Sequence, residues 1–115
     1  MENQKSTCRI TDGFFKNYQE LVRTVSIPYQ WNILNDRIPR AEKSGAVHNL
    51  ELAAGLAQGE YYGTCFQDSD VGKWLEATSY ALETKPDPNL EALADSVIVL
   101  LEKAQQEDGY LNSYF

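Results

Sequence analysis

Apolar residues recur at helical spacing along this chain, in four segments separated by turn chemistry. After Thr11-Asp12-Gly13, residues Tyr18, Leu21, Val22 and Val25 fall at i, i+3, i+4 and i+7 and make one apolar stripe. Thr11 or Asp12 supplies the cap. Pro28 then interrupts: it either kinks this helix or sits in the first turn of a short segment from Tyr29 to Leu34. Asn35 to Arg40 reads as a loop, because Asn-Asp and a proline lie close together. A second helix is expected from Ser44 to about Ala54, with Val47, Leu50 and Ala54 in its stripe. Gly55, Gly59 and Gly63 mark the connection that follows. It is not a phosphate cradle, since no Lys-Ser/Thr ending and no strand accompany it.

The third helix is expected from about Asp68 to Glu83, with Val71, Trp74, Leu75, Thr78 and Leu82 on one face. Pro86-Asp87-Pro88 stops it and starts the fourth, where Asp87 suits the N-cap and Pro88 the first helical position. That helix, to about Gln106, buries Leu93, Val97, Leu100 or Leu101, and Ala104. Asp108-Gly109 ends it and leaves an aromatic tail, Tyr110 to Phe115. No period-two pattern survives along the chain. The fold class is therefore all-α: helical hairpins in two antiparallel pairs, with under about a tenth of residues in strand.

Composition narrows the partners. One domain at most fits 115 residues, and 43% hydrophobic with 23% charged residues is an ordinary globular balance. A net charge of −7 argues against nucleic acid and against an anionic membrane, both of which demand clustered Lys and Arg. The longest apolar run, Val97 to Leu101, is far short of the ~18 residues of a membrane span. The start, Met1 to Thr7, is polar and lacks the apolar core of a targeting signal, so cytoplasmic residence is the default expectation. Cys8 and Cys65 match no zinc or redox spacing and read as one tail thiol and one core thiol. With His48 as the single histidine, Cys and His alone build no metal site, and no Ser/His/Asp set is credible. His48 itself reads as a surface or locally hydrogen-bonded side chain.

The richest stretch is Phe66-Gln67-Asp68-Ser69-Asp70-Val71-Gly72-Lys73-Trp74-Leu75-Glu76. Physically it is a helix start: Asp68 or Ser69 can cap the first N–H groups, and Asp70 adds negative charge at the positive end of the dipole. Two carboxylates can also act as acid and base across a cleft. However, residues i and i+2 of a helix do not face each other, so capping is the favoured reading. Gln67, Asp68, Asp70 and Trp74 are the substrate-pocket candidates. Trp74 lies on the inward stripe, which favours core packing over sugar stacking. Tyr61 and Tyr62 in the glycine-rich connection either meet a ligand or cover the core edge.

This stretch resembles the Asp-Ser-Asp-Val-x-Lys-Trp-Leu-Glu signature of glycoside hydrolase family 127, the β-L-arabinofuranosidase-like enzymes. Four further blocks resemble the same family in the same order. They are Asp12-Gly13-Phe14-Phe15; Ile27-Pro28-Tyr29-Gln30-Trp31 with Leu34-Asn35-Asp36; Asn49 with Ala53-Ala54-Gly55; and Gln105-Gln106-Glu107-Asp108-Gly109-Tyr110-Leu111-Asn112. The resemblance implies an (α/α)6 barrel, carbohydrate as partner, and retaining hydrolysis of L-arabinofuranosides in plant-type glycans. It also implies a cysteine nucleophile, a glutamate acid/base, and a zinc held by cysteines and a glutamate. Those groups lie downstream of these blocks in the family, and no position here matches their motifs, so no catalytic residue or zinc ligand is carried over. Gly72 stands where the family usually has a bulky aromatic; it costs about 1 kcal/mol of helix stability and removes a packing side chain. The Arg40 to Lys43 loop is shorter than in typical members.

Length sets the remaining expectation. A dozen helices with their connections need roughly 200 residues. Residues 1–115 therefore read as an N-terminal, incomplete segment of the catalytic domain, inactive alone. The alternative is a free-standing helical module for binding or oligomerisation, self-associating through its apolar faces.

Overall fold

The computed structural model of the protein describes residues 8–115. Five α-helices run along it: α1 (Gly13–Leu21), α2 (Ile27–Leu34), α3 (Ala46–Ala53), α4 (Asp68–Thr84) and α5 (Pro88–Ala104), and the described residues contain no strand. None of them is long and apolar enough to cross a membrane. The helix starts follow local chemistry. The Asp12 carboxylate accepts from the Phe15 amide at 2.9 Å and caps α1. At α5, Asp87 accepts from the Asn89 and Leu90 amides at 3.1 Å, with Pro88 in the first turn.

Pro28 sits in the first turn of a short helix that ends at Leu34, the second of the two readings, although that helix begins at Ile27 rather than Tyr29. A π-helical stretch, Val22–Ser26, joins α1 to α2 without a break. In a regular α-helix the ring of Pro28 would press on the carbonyl four residues back. Widening the preceding turn by one residue, so that the Ile27 amide bonds to Val22, removes that clash. The second predicted helix starts two residues late, at Ala46. Gly45 adopts φ +69, and a Cβ there would lie 3.2 Å from Tyr62 Cβ. Gly45 has no side chain to cap with. Asp36 takes over from across the loop, accepting from Ser44 N at 2.6 Å and Gly45 N at 3.0 Å.

α4 and α5 form a hairpin across Lys85 to Asp87, α3 packs on both, and α2 leans on α4. The core is Ile27, Leu34, Ala46, Val47, Leu50, Val71, Trp74, Leu90, Val97 and Ala104, with Leu75, Leu82, Leu93, Leu100 and Leu101 against it. Trp74 is 4% exposed. Its indole N–H donates to the Ile27 carbonyl at 3.0 Å, and its ring lies 4.6 Å from that of Trp31. The inward placement of Trp74 is thus as expected.

The predicted stripe of the first helix is not covered. Tyr18, Leu21, Val22 and Val25 are 54%, 47%, 43% and 53% exposed, and Phe14 and Phe15 are exposed beside them. No residue of α1 is buried. The radius of gyration, 15.9 Å, exceeds the roughly 13 Å of a compact domain of about 100 residues. The array is an open slab of 47 × 41 × 23 Å, and the amphipathic face of α1 has no helix of the described chain lying on it. Polar contacts hold α1 instead: Arg23 pairs with Glu20 and, at 3.3 Å, with Asp87, while Lys85 reaches Glu20 at 3.5 Å. Cys65 is also exposed rather than core, because the Thr64-Cys65-Phe66 turn sits outside the helix array.

Two substitutions test this core. Trp74→Ala removes a buried ring and its N–H bond, and should lower unfolding free energy by about 3–5 kcal/mol in a thermal or urea melt. Thr78 is fully buried on α4, and its hydroxyl has no hydrogen-bond partner among the described residues. Thr78→Val should therefore raise stability by about 1 kcal/mol in the same melts.

Candidate functional site

The helical period places Gln67, Asp70 and Trp74 on one face of α4, two turns, one turn and no turn before the tryptophan. That face borders an open cleft of about 640 Å³ between α2 and α4. Its floor is apolar, from Ile27, Ile33, Leu34 and Trp74, with Val22 and Ala77 exposed at its edge. Its rim is polar, from Gln30, Glu42, Lys43, Ser44, Gln67, Asp70 and Lys73. Both charge signs are present; Lys73 Nζ lies 3.3 Å from Asp70 Oδ1.

Asp68 belongs elsewhere. One residue out of phase with the cleft face, its carboxylate accepts from the Ser113 amide at 2.6 Å and from the Ser113 hydroxyl. The C-terminal tail thereby folds back onto the start of α4. Asn112 donates to the Cys65 carbonyl at 3.5 Å, and Tyr114 packs edge-on against Tyr61 with centroids 5.1 Å apart. Burial pushes the Tyr61 phenol above its usual pKa, and the Asp68 carboxylate adds to the shift.

Neither Asp68 nor Ser69 caps α4, contrary to expectation. Gln67 occupies the cap position in helical geometry, with no side-chain bond to the first turn. Thr64 to Asp70 is already wound: Gln67 N bonds to Thr64 O, Ser69 N to Phe66 O and Asp70 N to Gln67 O, at 3.0–3.2 Å. Tight backbone turns satisfy the donors that a capping side chain would otherwise take. Asp68 and Asp70 still complement the helix dipole from the first turn.

The remaining candidates fall outside the cleft. The Tyr62 backbone is held by Asn49, fully buried, whose amide donates to Tyr62 O at 2.8 Å and accepts from Tyr62 N at 3.0 Å. Lys43 Nζ lies 4.4 Å from the Tyr62 ring centroid. His48 is half-exposed, with Nδ1 3.8 Å from Glu51. A Cβ on Gly72 would meet nothing within 4 Å, so the missing side chain leaves open space. Among the described residues, no three His, Cys, Asp or Glu side chains group to hold a metal ion. Sequence reasoning missed Lys73, although its i+3 spacing from Asp70 marks it. It also missed Gln30, Lys43 and Ser44, which reach the cleft only through tertiary folding.

The family description "β-L-arabinofuranosidase, GH127 catalytic domain" matches residues 7–115. This chain belongs to glycoside hydrolase family 127. It is similar to the non-reducing end β-L-arabinofuranosidase of Bifidobacterium longum subsp. longum, at 44% identity over 116 residues, spanning 90% of this chain and 18% of that protein. It superposes on a GH127 β-L-arabinofuranosidase from Geobacillus stearothermophilus T6 with a TM-score of 0.91 and 60% identity, over 95% of this chain and 17% of that one. A second GH127 β-arabinofuranosidase matches with a TM-score of 0.77 at 33% identity, over 91% of this chain and 16% of that one. The all-α hairpins thus correspond to part of the helical barrel of family 127. The chain spans under a fifth of the length of these relatives.

Hydrogen bonds to a carboxylate contribute about 1.5–3 kcal/mol. Asp68→Ala should therefore raise the exchange rate of the Ser113 amide by at least about tenfold in NMR hydrogen exchange. The amides of α5 should be unchanged.

Proposed function

We propose that this chain is the N-terminal segment of a retaining family 127 catalytic domain that acts on L-arabinofuranosides of plant-type glycans, and that it does not hydrolyse them alone. The observation that carries the proposal is the family match over residues 7–115, in a chain spanning under a fifth of its relatives. In this reading the cleft is one wall of the sugar site. A polar rim over an apolar floor suits a neutral furanose, whose hydroxyls bond at the edge while its ring carbons rest on the floor.

The reading of inactivity is supported by what the acids do. Retaining hydrolysis needs two groups flanking one glycosidic bond. Asp68 is turned away to Ser113, and Asp70 pairs with Lys73, so the two do not address a common space. The described side chains do not fit the zinc of the full-length family, since no three His, Cys, Asp or Glu among them group together. The pure 115-residue protein, supplied with zinc, should release no aryl alcohol from an aryl β-L-arabinofuranoside above the buffer rate. Zinc-dependent turnover by this chain would sink the proposal.

A second reading, a self-associating helical module, is favoured by one observation: the exposed stripe of Phe14, Phe15, Tyr18, Leu21, Val22 and Val25. Native mass spectrometry separates the two readings. The segment reading expects a monomer at micromolar concentration, and a stable, stoichiometric oligomer would favour the module.

A further inference from the structure

We propose that Gln67 is a positioning residue: its carboxamide holds the Glu42–Ser44 rim at the cleft. The assignment rests on reading the cleft as a sugar-facing wall.

Both ends of the Gln67 amide bond to backbone. Oε1 accepts from the Thr64 amide at 2.9 Å, and Nε2 donates to the Ser44 carbonyl. One side chain therefore ties three segments together: the loop before α3, the glycine-rich connection, and the start of α4. Gly63 makes the fit possible. Its φ is +98, and a Cβ there would lie 1.7 Å from Gln67 Oε1 and 2.4 Å from Cδ. Any side chain at Gly63 would evict the carboxamide. From the other side Asp36 grips Ser44 N and Gly45 N, so Ser44 is held through both its amide and its carbonyl. Glu42 and Lys43 precede this doubly held residue and line the cleft. The amide keeps one further N–H and one lone pair, but turning it towards a ligand would break both backbone bonds.

The test exploits the need for a donor at Nε2. In Gln67→Glu the carboxylate still accepts from Thr64 N, but it cannot donate to Ser44 O and repels it. In acid, the protonated carboxyl regains an O–H donor and restores both bonds. Protection of the Ser44 amide, measured by NMR hydrogen exchange on the full chain, should fall at least about tenfold in Gln67→Glu at neutral pH. It should return towards the wild-type value when both proteins are compared at the same acid pH. The other groups facing the rim (Asp36, Glu42, Lys43, Asp70 and Lys73) are common to both proteins and cancel in that comparison. Gln67→Leu, with neither donor nor acceptor, should lose protection at every pH. Wild-type protection in Gln67→Glu at neutral pH, or a loss that acid does not reverse, would overturn the assignment. A parallel titration with methyl β-L-arabinofuranoside judges the underlying reading separately. Failure of the wild-type cleft resonances to shift removes the sugar from the cleft. The exchange data alone decide whether Gln67 holds the rim. If the sugar does bind, direct displacement of the Gln67 side-chain amide from Ser44 O would also overturn the positioning role.

Discussion

The buried indole of Trp74 is the constraint on which the rest of the array depends. An indole N–H taken out of water needs an acceptor, and the nearest is the carbonyl of Ile27, at the point where the widened turn becomes α2. That one bond sets the spacing and rotation of α4 against α2. Trp31 closes over the same ring. Once the rotation is set, everything in phase with Trp74 points the same way, so Gln67 and Asp70 border the cleft while Asp68 faces the tail. The cleft lies beside this contact, between the two helices that meet at the ring.

At that loop end the packing is polar rather than apolar. Buried Asn49 reads both backbone groups of Tyr62, Asp36 reads two amides, and Gln67 bridges Thr64 and Ser44. Each is a side chain serving backbone groups that would otherwise be unpaired, which is what connections without regular structure require. The glycines at 45 and 63 belong to the same design, since both have positive φ and both leave room for a neighbour's side chain.

Local signals were legible in the sequence, and distant ones were not. Asp12 and Asp87 announce their helices because a cap acts within three residues. Trp74 announces its burial because its stripe continues through Val71 and Thr78. The stripe of α1 was equally plain, yet periodicity says only that a face is apolar, never what covers it. The cap of α4 was misread because the turn before it, Thr64 to Gln67, carries no motif of its own. Among the candidate site residues, the face shared by Gln67, Asp70 and Trp74 follows from helical spacing. The partners of Gln67 and Asp68 lie 23 and 45 residues away, and no local pattern encodes them.

The attachment of α1 has a consequence for how the chain responds to its ionic surroundings. Its bonds to the α4–α5 turn run through Glu20, Arg23, Lys85 and Asp87, mostly at the surface, where such pairs contribute about 0–1 kcal/mol each and are screened within roughly 8 Å at physiological ionic strength. The tryptophan core does not feel that screening. Added salt therefore weakens the link between α1 and the α4–α5 turn and leaves the apolar interior in place. The helix whose tertiary ties weaken is the one that carries the uncovered aromatic stripe. Colloidal behaviour and folding stability of this chain are thus governed by different forces, and salt acts on them separately.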